Sequence, residues 1–248
     1  MTFLSWWGIL RLGLIQSALG ALVFLPINTF NRVLVVEFAF AAVLPGFLIT
    51  LHHSVQLARP RIGYGSDLGD RRTPWIMGGM FILAAGSITS ALGVTLMPVK
   101  FPLGISVAVL GYLLIGLGSG AAGTSLLVLL SKQVVDHRKP AAASLVWFMM
   151  ITGFALTGAA AGSFLDPFTE IRLLMVVSSV AVIALIISLF AILGIEQSSS
   201  DRTSKADLQC APPSFVTALK EVWKEAESRR FTLFVFTSML AYSAQDLI

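Results

Sequence analysis

Gly63-Tyr64-Gly65-Ser66-Asp67-Leu68-Gly69-Asp70-Arg71-Arg72-Thr73-Pro74 is the stretch whose reading decides the fold. It lies between two long apolar runs. With Arg59 and Arg61 just ahead of it, four arginines and two aspartates crowd one short connection. A short, cationic loop between two membrane spans belongs on the cytoplasmic side, and that choice orients every other segment. Gly63 and Gly65 permit backbone angles and close approaches that a side chain would forbid. Thr73 reads as a helix N-cap and Pro74 as the first residue of the following helix.

Composition agrees with spans on either side. The chain has 248 residues, 56% hydrophobic and 12% charged. A soluble domain carries about 25% charged residues. The apolar runs are about twenty residues long rather than alternating tens, which makes the membrane segments helical and not β-barrel strands. The net charge of +4 collects in loops and is no sign of nucleic-acid binding. The single cysteine, Cys210, excludes an internal disulfide and a multi-cysteine metal site.

Spans are predicted at Trp7–Pro26, Phe38–Leu57, Trp75–Leu96, Leu103–Leu130, Ala141–Phe164 and Ile171–Gly194, with a seventh from Phe231 to Ile248. Threading them alternately through a bilayer puts fourteen of the seventeen Lys and Arg on one side, leaving Arg32, Lys100 and Arg172 on the other. The bias predicts a cytoplasmic N-terminus. Trp6, Trp7, Trp75, Trp147 and Trp223 all fall near the inner interface, where an indole keeps its ring in acyl chains and its N–H in water.

Three regions follow: a six-helix bundle over residues 1–194, an inner loop over 195–229, and the first helix of an incomplete second half over 230–248. The loop opens with the polar run Gln197–Ser204 and then carries Phe215, Leu219, Val222, Trp223 and Ala226 on one stripe, an amphipathic helix suited to the inner membrane surface. Because Ile248 stops an apolar run with no flanking charge, the chain reads as part of a protein about twice as long. Arg11 with Asn28, and Arg230 with Asp246, sit at matching depths of the first and seventh spans, a faint repeat of the kind found in transporters. Gly116, Ser119, Gly120 and Gly123 in the fourth span, and Gly153, Gly158 and Gly162 in the fifth, are small-residue packing positions.

The loop pattern on Gly63, Asp67, Arg71 and Arg72 resembles the motif between helices two and three of the major facilitator superfamily. Leu68 replaces its usual basic residue, Asp70 its second glycine, and Gly69 comes one place early. The resemblance implies an all-α integral membrane protein with a major facilitator-like bundle: six complete transmembrane helices and a seventh cut at the C-terminus. Its proton-coupled members carry arginine and glutamine in the fourth helix. Tyr112–Gly116 has neither, and the first six spans show no clear central Asp, Glu, Lys or Arg.

Polar groups within spans are costly and are functional candidates by default. His52 and His53 lie about 10 Å below the inner end of the second helix. Either could ligate the metal of a tetrapyrrole or relay a proton, or His52 could simply bond to a carbonyl or to Gln56. Pro45-Gly46 should bend the same helix. Arg32 and Glu37 could pair at the outer hairpin or remain solvated. Asn28, Gln56, Gln245 and Asp246 complete the intramembrane polar candidates.

Three stretches together, Asn31–Glu37, Leu44–Asp67 and Met239–Ile248, are similar to the PucC/LhaA family of phototrophic bacteria, also labelled a bacteriochlorophyll synthase subunit. The resemblance implies a membrane factor for assembly of light-harvesting complexes, in the bacterial inner or intracytoplasmic membrane. It implies bacteriochlorophyll and light-harvesting or reaction-centre polypeptides as partners, with His52 as a magnesium ligand. An enzyme is disfavoured: a membrane prenyltransferase needs two acidic motifs, and Asp67 and Asp70 make only one. A small-solute secondary transporter is the alternative, and it would need a charged midplane site.

Overall fold

The computed structural model describes residues 4–67, 71–195 and 215–243, and their regular structure is helical, with no strand among them. We label the helices α1 (Trp6–Phe24), α2 (Val43–Val55), α3 (Arg59–Asp67), α4 (Thr73–Leu96), α5 (Phe101–Gln133), α6 (Lys139–Phe164), α7 (Glu170–Ile192), α8 (Phe215–Lys224) and α9 (Ala226–Ser243). Residues 1–199 form one compact unit and 200–248 another.

Among the described residues, five helical stretches are long and apolar enough to cross a membrane: Trp6–Glu37, Thr73–Leu96, Phe101–Gln133, Asp136–Phe164 and Glu170–Ile192. The surface agrees with a lipid solvent. Phe81, Leu110, Phe148, Ile151, Leu156 and Phe190 are all at least half exposed, while Ser87, Ser90, Ser119, Ser125 and Ser188 are buried. Water would reverse that arrangement. Most of the buried hydroxyls bond back along their own helix, as Ser87 does to the Leu83 carbonyl at 3.0 Å and Ser188 to Ala184 at 2.7 Å.

The first expected span ends at Pro26, but the helix does not. It runs on through a π turn (Leu25–Thr29), one α turn (Phe30–Arg32) and a second π turn (Val33–Glu37). The proline is the reason. It has no N–H for the Leu22 carbonyl and its ring crowds that group, so the ladder widens locally instead of breaking. Side chains serve the freed carbonyls. The Ser87 hydroxyl lies 3.3 Å from Leu22 O, Asn28 Nδ2 donates to Phe24 O at 3.4 Å, and the buried Tyr112 hydroxyl donates to Pro26 O at 2.6 Å. The chain reverses only at residues 38–42, where Ala39 adopts φ 53°.

The second expected span, Phe38–Leu57, starts later in the structure, at Val43. α2 itself holds 13 residues, about 20 Å of helix. A 3₁₀ turn at Gln56–Ala58 and the polar α3 continue it. Pro45 is the third residue of α2, where its missing N–H falls among donors that have no intrahelical partner anyway. It starts the helix and does not bend it.

α5 is the centre of the first unit, and it presents two faces of small residues. Gly104, Ala108, Gly111, Gly118 and Ala122 meet Met97, Gly93, Ser90, Leu83 and Gly79, so the α4 and α5 backbones touch along nearly their whole length. A Cβ at Gly79 would lie 2.8 Å from the Gly118 carbonyl oxygen, and one at Gly86 2.8 Å from the Ile115 nitrogen. Only glycine permits that approach. On the α1–α6 seam, Gly153 backs onto the Ser17 carbonyl, and Ser17 Oγ donates to Met149 O at 2.5 Å. Gly158 meets the Phe24 ring, whereas Gly162 has open space and is no packing position.

In the second unit, α8 carries the expected apolar stripe, with Leu219, Val222 and Trp223 half exposed beside Lys220 and Lys224. α9 begins at Ala226, ahead of the expected start of the seventh span at Phe231. Gln245 and Asp246 lie outside the described residues.

Candidate functional site

The second small-residue face of α5 receives the histidine segment. Gly116, Gly120 and Thr124 recur every four residues, one line along a helix. A Cβ at Gly116 would stand 2.9 Å from the His52 carbonyl oxygen and 2.8 Å from Val55 Cβ. One turn on, Gly120 faces Arg59 Cγ and Ile62. A further turn on, Gly63 of α3 faces Thr124 Cγ2 at 3.3 Å. This line seats α2 and α3 against the bundle and fixes which way each histidine points.

His52 points inward and is 1% exposed. Its Nε2 is 2.6 Å from Gln56 Nε2, one helical turn away. Gln56 therefore donates to Nε2, which leaves the imidazole proton on Nδ1, and Nδ1 is buried with no hydrogen-bond acceptor. His53 points outward and is exposed, with its ring edge-on to His52 at 5.0 Å between centroids. Its face of α2 also carries Thr50 and Gly46, and a Cβ added at Gly46 would meet nothing within 4 Å.

A planar magnesium tetrapyrrole needs one free imidazole nitrogen and room on one side of it. His52 does not fit: it is enclosed, and its Nε2 is engaged by Gln56. His53 does fit. A helical side chain leans toward the N-terminal turn, and there Thr50 and Gly46 leave a shallow floor.

The basic stretch also differs from expectation. Gly63 and Gly65 lie within α3, so their helical backbone makes no use of left-handed angles. Their role is close approach, to Thr124 and to the Trp75 ring at 3.3 Å. Arg72, not Thr73, is the N-cap residue of α4. Its backbone is already helical and no side chain caps it, while Pro74 sits in the first turn. Arg72 is buried and Arg71 exposed. Asp67 ends α3, and residues 68–70 lie outside the description.

The hairpin ends separate by charge. Arg11, Arg59, Arg61, Arg71, Arg72, Lys132, Arg138 and Lys139 gather at the end where α1, α4 and α6 begin. Leu4 N bonds to Gln133 O there, and the Arg138 guanidinium lies 5.9 Å from the centre of the Trp6 ring. Arg32 and Glu37 pair at 3.3 Å at the opposite end. Sequence reasoning missed two buried polar residues: Tyr112, and Gln16, whose Nε2 meets Met150 Sδ at 3.2 Å while its Oε1 is buried without a donor. A lone amide inside the apolar run Leu14–Leu22 was the available signal for Gln16.

The helices and their apolar exterior define a multi-pass, all-helical membrane protein. A family model described as PUCC protein matches residues 29–248. The bacteriochlorophyll synthase 44.5 kDa chain of Rhodobacter capsulatus is 43% identical over 245 residues, 99% of this chain and 56% of that protein. Protein PucC of Cereibacter sphaeroides is 29% identical over 237 residues, 91% of this chain and 50% of that protein. The chain belongs to the PucC family, and it spans about half the length of the curated relatives it matches.

Proposed function

We propose that this chain serves in a non-enzymatic membrane factor for assembly of photosynthetic light-harvesting complexes, one that binds bacteriochlorophyll and hands it to antenna polypeptides. The PucC family match over residues 29–248 carries the reading. The name of the Rhodobacter capsulatus relative supplies the pigment. The exposed histidine on the membrane part of α2 supplies a place for it. On this reading His53, the exposed member of the pair, would hold the pigment's magnesium, and His52 with Gln56 holds the helix in register beside it. Bound there, the pigment would bring a magnesium ion open to one imidazole. The chain's own task is to present that nitrogen and keep water away.

The bundle is read as major facilitator-like, with its arginine-rich end cytoplasmic by the charge bias. The membrane is the bacterial inner or intracytoplasmic one. Purification of the full-length protein in mild detergent, with an absorption spectrum and identification of co-purified chains, tests the proposal. Bound bacteriochlorophyll and antenna polypeptides are the expected result. His53→Ala lowers the pigment content several-fold and His52→Ala leaves pigment bound. A colourless protein that drives solute uptake in proteoliposomes would replace this reading with a transporter.

A further inference from the structure

A groove of about 630 Å³ lies between α6 and α7, the two last helices of the first unit. Its position along α7 is its informative feature. Arg172, Val176, Ser179 and Ile183 line it and recur every three or four residues, so they share one face of the helix. Arg172 is in the first turn of α7, and Ile183 lies eleven residues further, about 16 Å along the axis. Half of a hydrocarbon core is about 15 Å. The groove therefore runs the depth of one leaflet, from the interface to the bilayer centre.

Its two ends differ in chemistry. The deep part is largely apolar, with Val176, Val180 and Ile183 on one wall and the Ser179 hydroxyl among them. The interfacial end carries Asp166 and Arg172, one acid and one base. These two are not paired with each other. Arg172 donates from Nη1 to the Pro167 carbonyl at 2.7 Å, which holds the guanidinium at the mouth with its remaining N–H groups available. The Asp166 side chain is exposed beside it. An apolar slot one leaflet long, with an anion site and a cation site at its polar end, complements a molecule of matching form. That molecule has an acyl chain, a phosphate and an ammonium group.

We infer that the α6–α7 groove binds a single zwitterionic aminophospholipid, acyl chain down and head group between Arg172 and Asp166. It lies in the leaflet opposite the arginine-rich end of the bundle. The guanidinium takes the phosphate as a charge-assisted hydrogen bond, and the Asp166 carboxylate takes the primary ammonium. A choline head has no N–H to give Asp166, and a glycerol head has no cation. The site therefore discriminates between lipids that share the same tails. This inference does not depend on the pigment reading, since it uses neither histidine.

Native mass spectrometry of the full-length protein decides it. The detergent-purified protein is offered phosphatidylethanolamine, phosphatidylcholine and phosphatidylglycerol with identical acyl chains. The expected result is one retained phosphatidylethanolamine, held at least tenfold better than either competitor. Asp166→Asn removes the preference over phosphatidylcholine. Arg172→Gln lowers retention of all three. Ser179→Trp fills the groove wall and abolishes retention while leaving the helical circular dichroism spectrum and both mouth charges in place. Equal retention of the three lipids, or retention unchanged in Ser179→Trp, overturns the assignment. So does displacement of the lipid by one equivalent of bacteriochlorophyll, which would make the groove a pigment site.

Discussion

At the scale of single residues, buried polar atoms set the energetics. Tyr112 is fully enclosed, and its hydroxyl is the donor that the structure gives the Pro26 carbonyl. Removing it deletes that bond from a site closed to water. Tyr112→Phe should cost about 0.5–1.5 kcal/mol and lower the thermal unfolding midpoint in detergent. Arg11 acts across a helix boundary. Its guanidinium donates to Leu193 O, and to Phe190 O at 3.4 Å, at the C-terminus of α7. Those carbonyls have no intrahelical donor and carry the negative end of the helix dipole. Arg11→Gln should lose roughly 0.3–1 kcal/mol, read in the same melt. Asp136 lies in the connection before α6, 2.7 Å from Lys139. The hydrogen bond from Lys139, and then its charge, hold the Asp136 carboxyl below the usual carboxylate range. For a depressed carboxylate, the pairing is present above its unfolded value and is lost as pH falls through the folded one. Lys139→Met should move its titration upward, as followed by the carboxyl carbon resonance.

Elements of the bundle are held by backbone approach, because lipid removes the hydrophobic drive between helices. That makes glycines unequal. Gly93 abuts the Ala108 backbone, while Gly162 faces open space. Gly93→Ala should therefore cost about 1–3 kcal/mol through overpacking. Gly162→Ala should gain up to about 1 kcal/mol from helix propensity. A melt of the two variants side by side checks the contrast, and equal shifts would refute the packing scheme. The same reasoning explains the limits of pattern reading. Gly116 and Gly120 are visible in the sequence as small-residue positions, but which helix fills them is not. Pro26 and Pro45 look alike as helix breakers. One widens a helix into a π turn and the other starts one, because only neighbours such as Ser87, Tyr112 and Asn28 can supply the freed carbonyls.

For the whole molecule, charge asymmetry sets orientation. In a background where Cys210 is serine, a cysteine at Lys139 should react with an impermeant thiol reagent only from the cytoplasmic side. A cysteine at Lys100 should react only from the other. Labelling in intact cells against inverted vesicles reads this directly, and the opposite pattern would reverse the topology.

The sequence by itself determined that this is a helical membrane protein with segregated positive charge, and its motifs resembled the family that the comparisons then showed. Those properties follow from composition, run length and order along one chain. The tertiary structure decided which histidine is buried, which glycines are contacts, and where the first helix truly ends. Adjacent residues on a helix diverge by about 100°, so His52 and His53 take opposite fates only once a neighbouring helix claims one face. That neighbour, α5, reaches them through Gly116, 64 residues further along the chain than His52, and no local pattern records it.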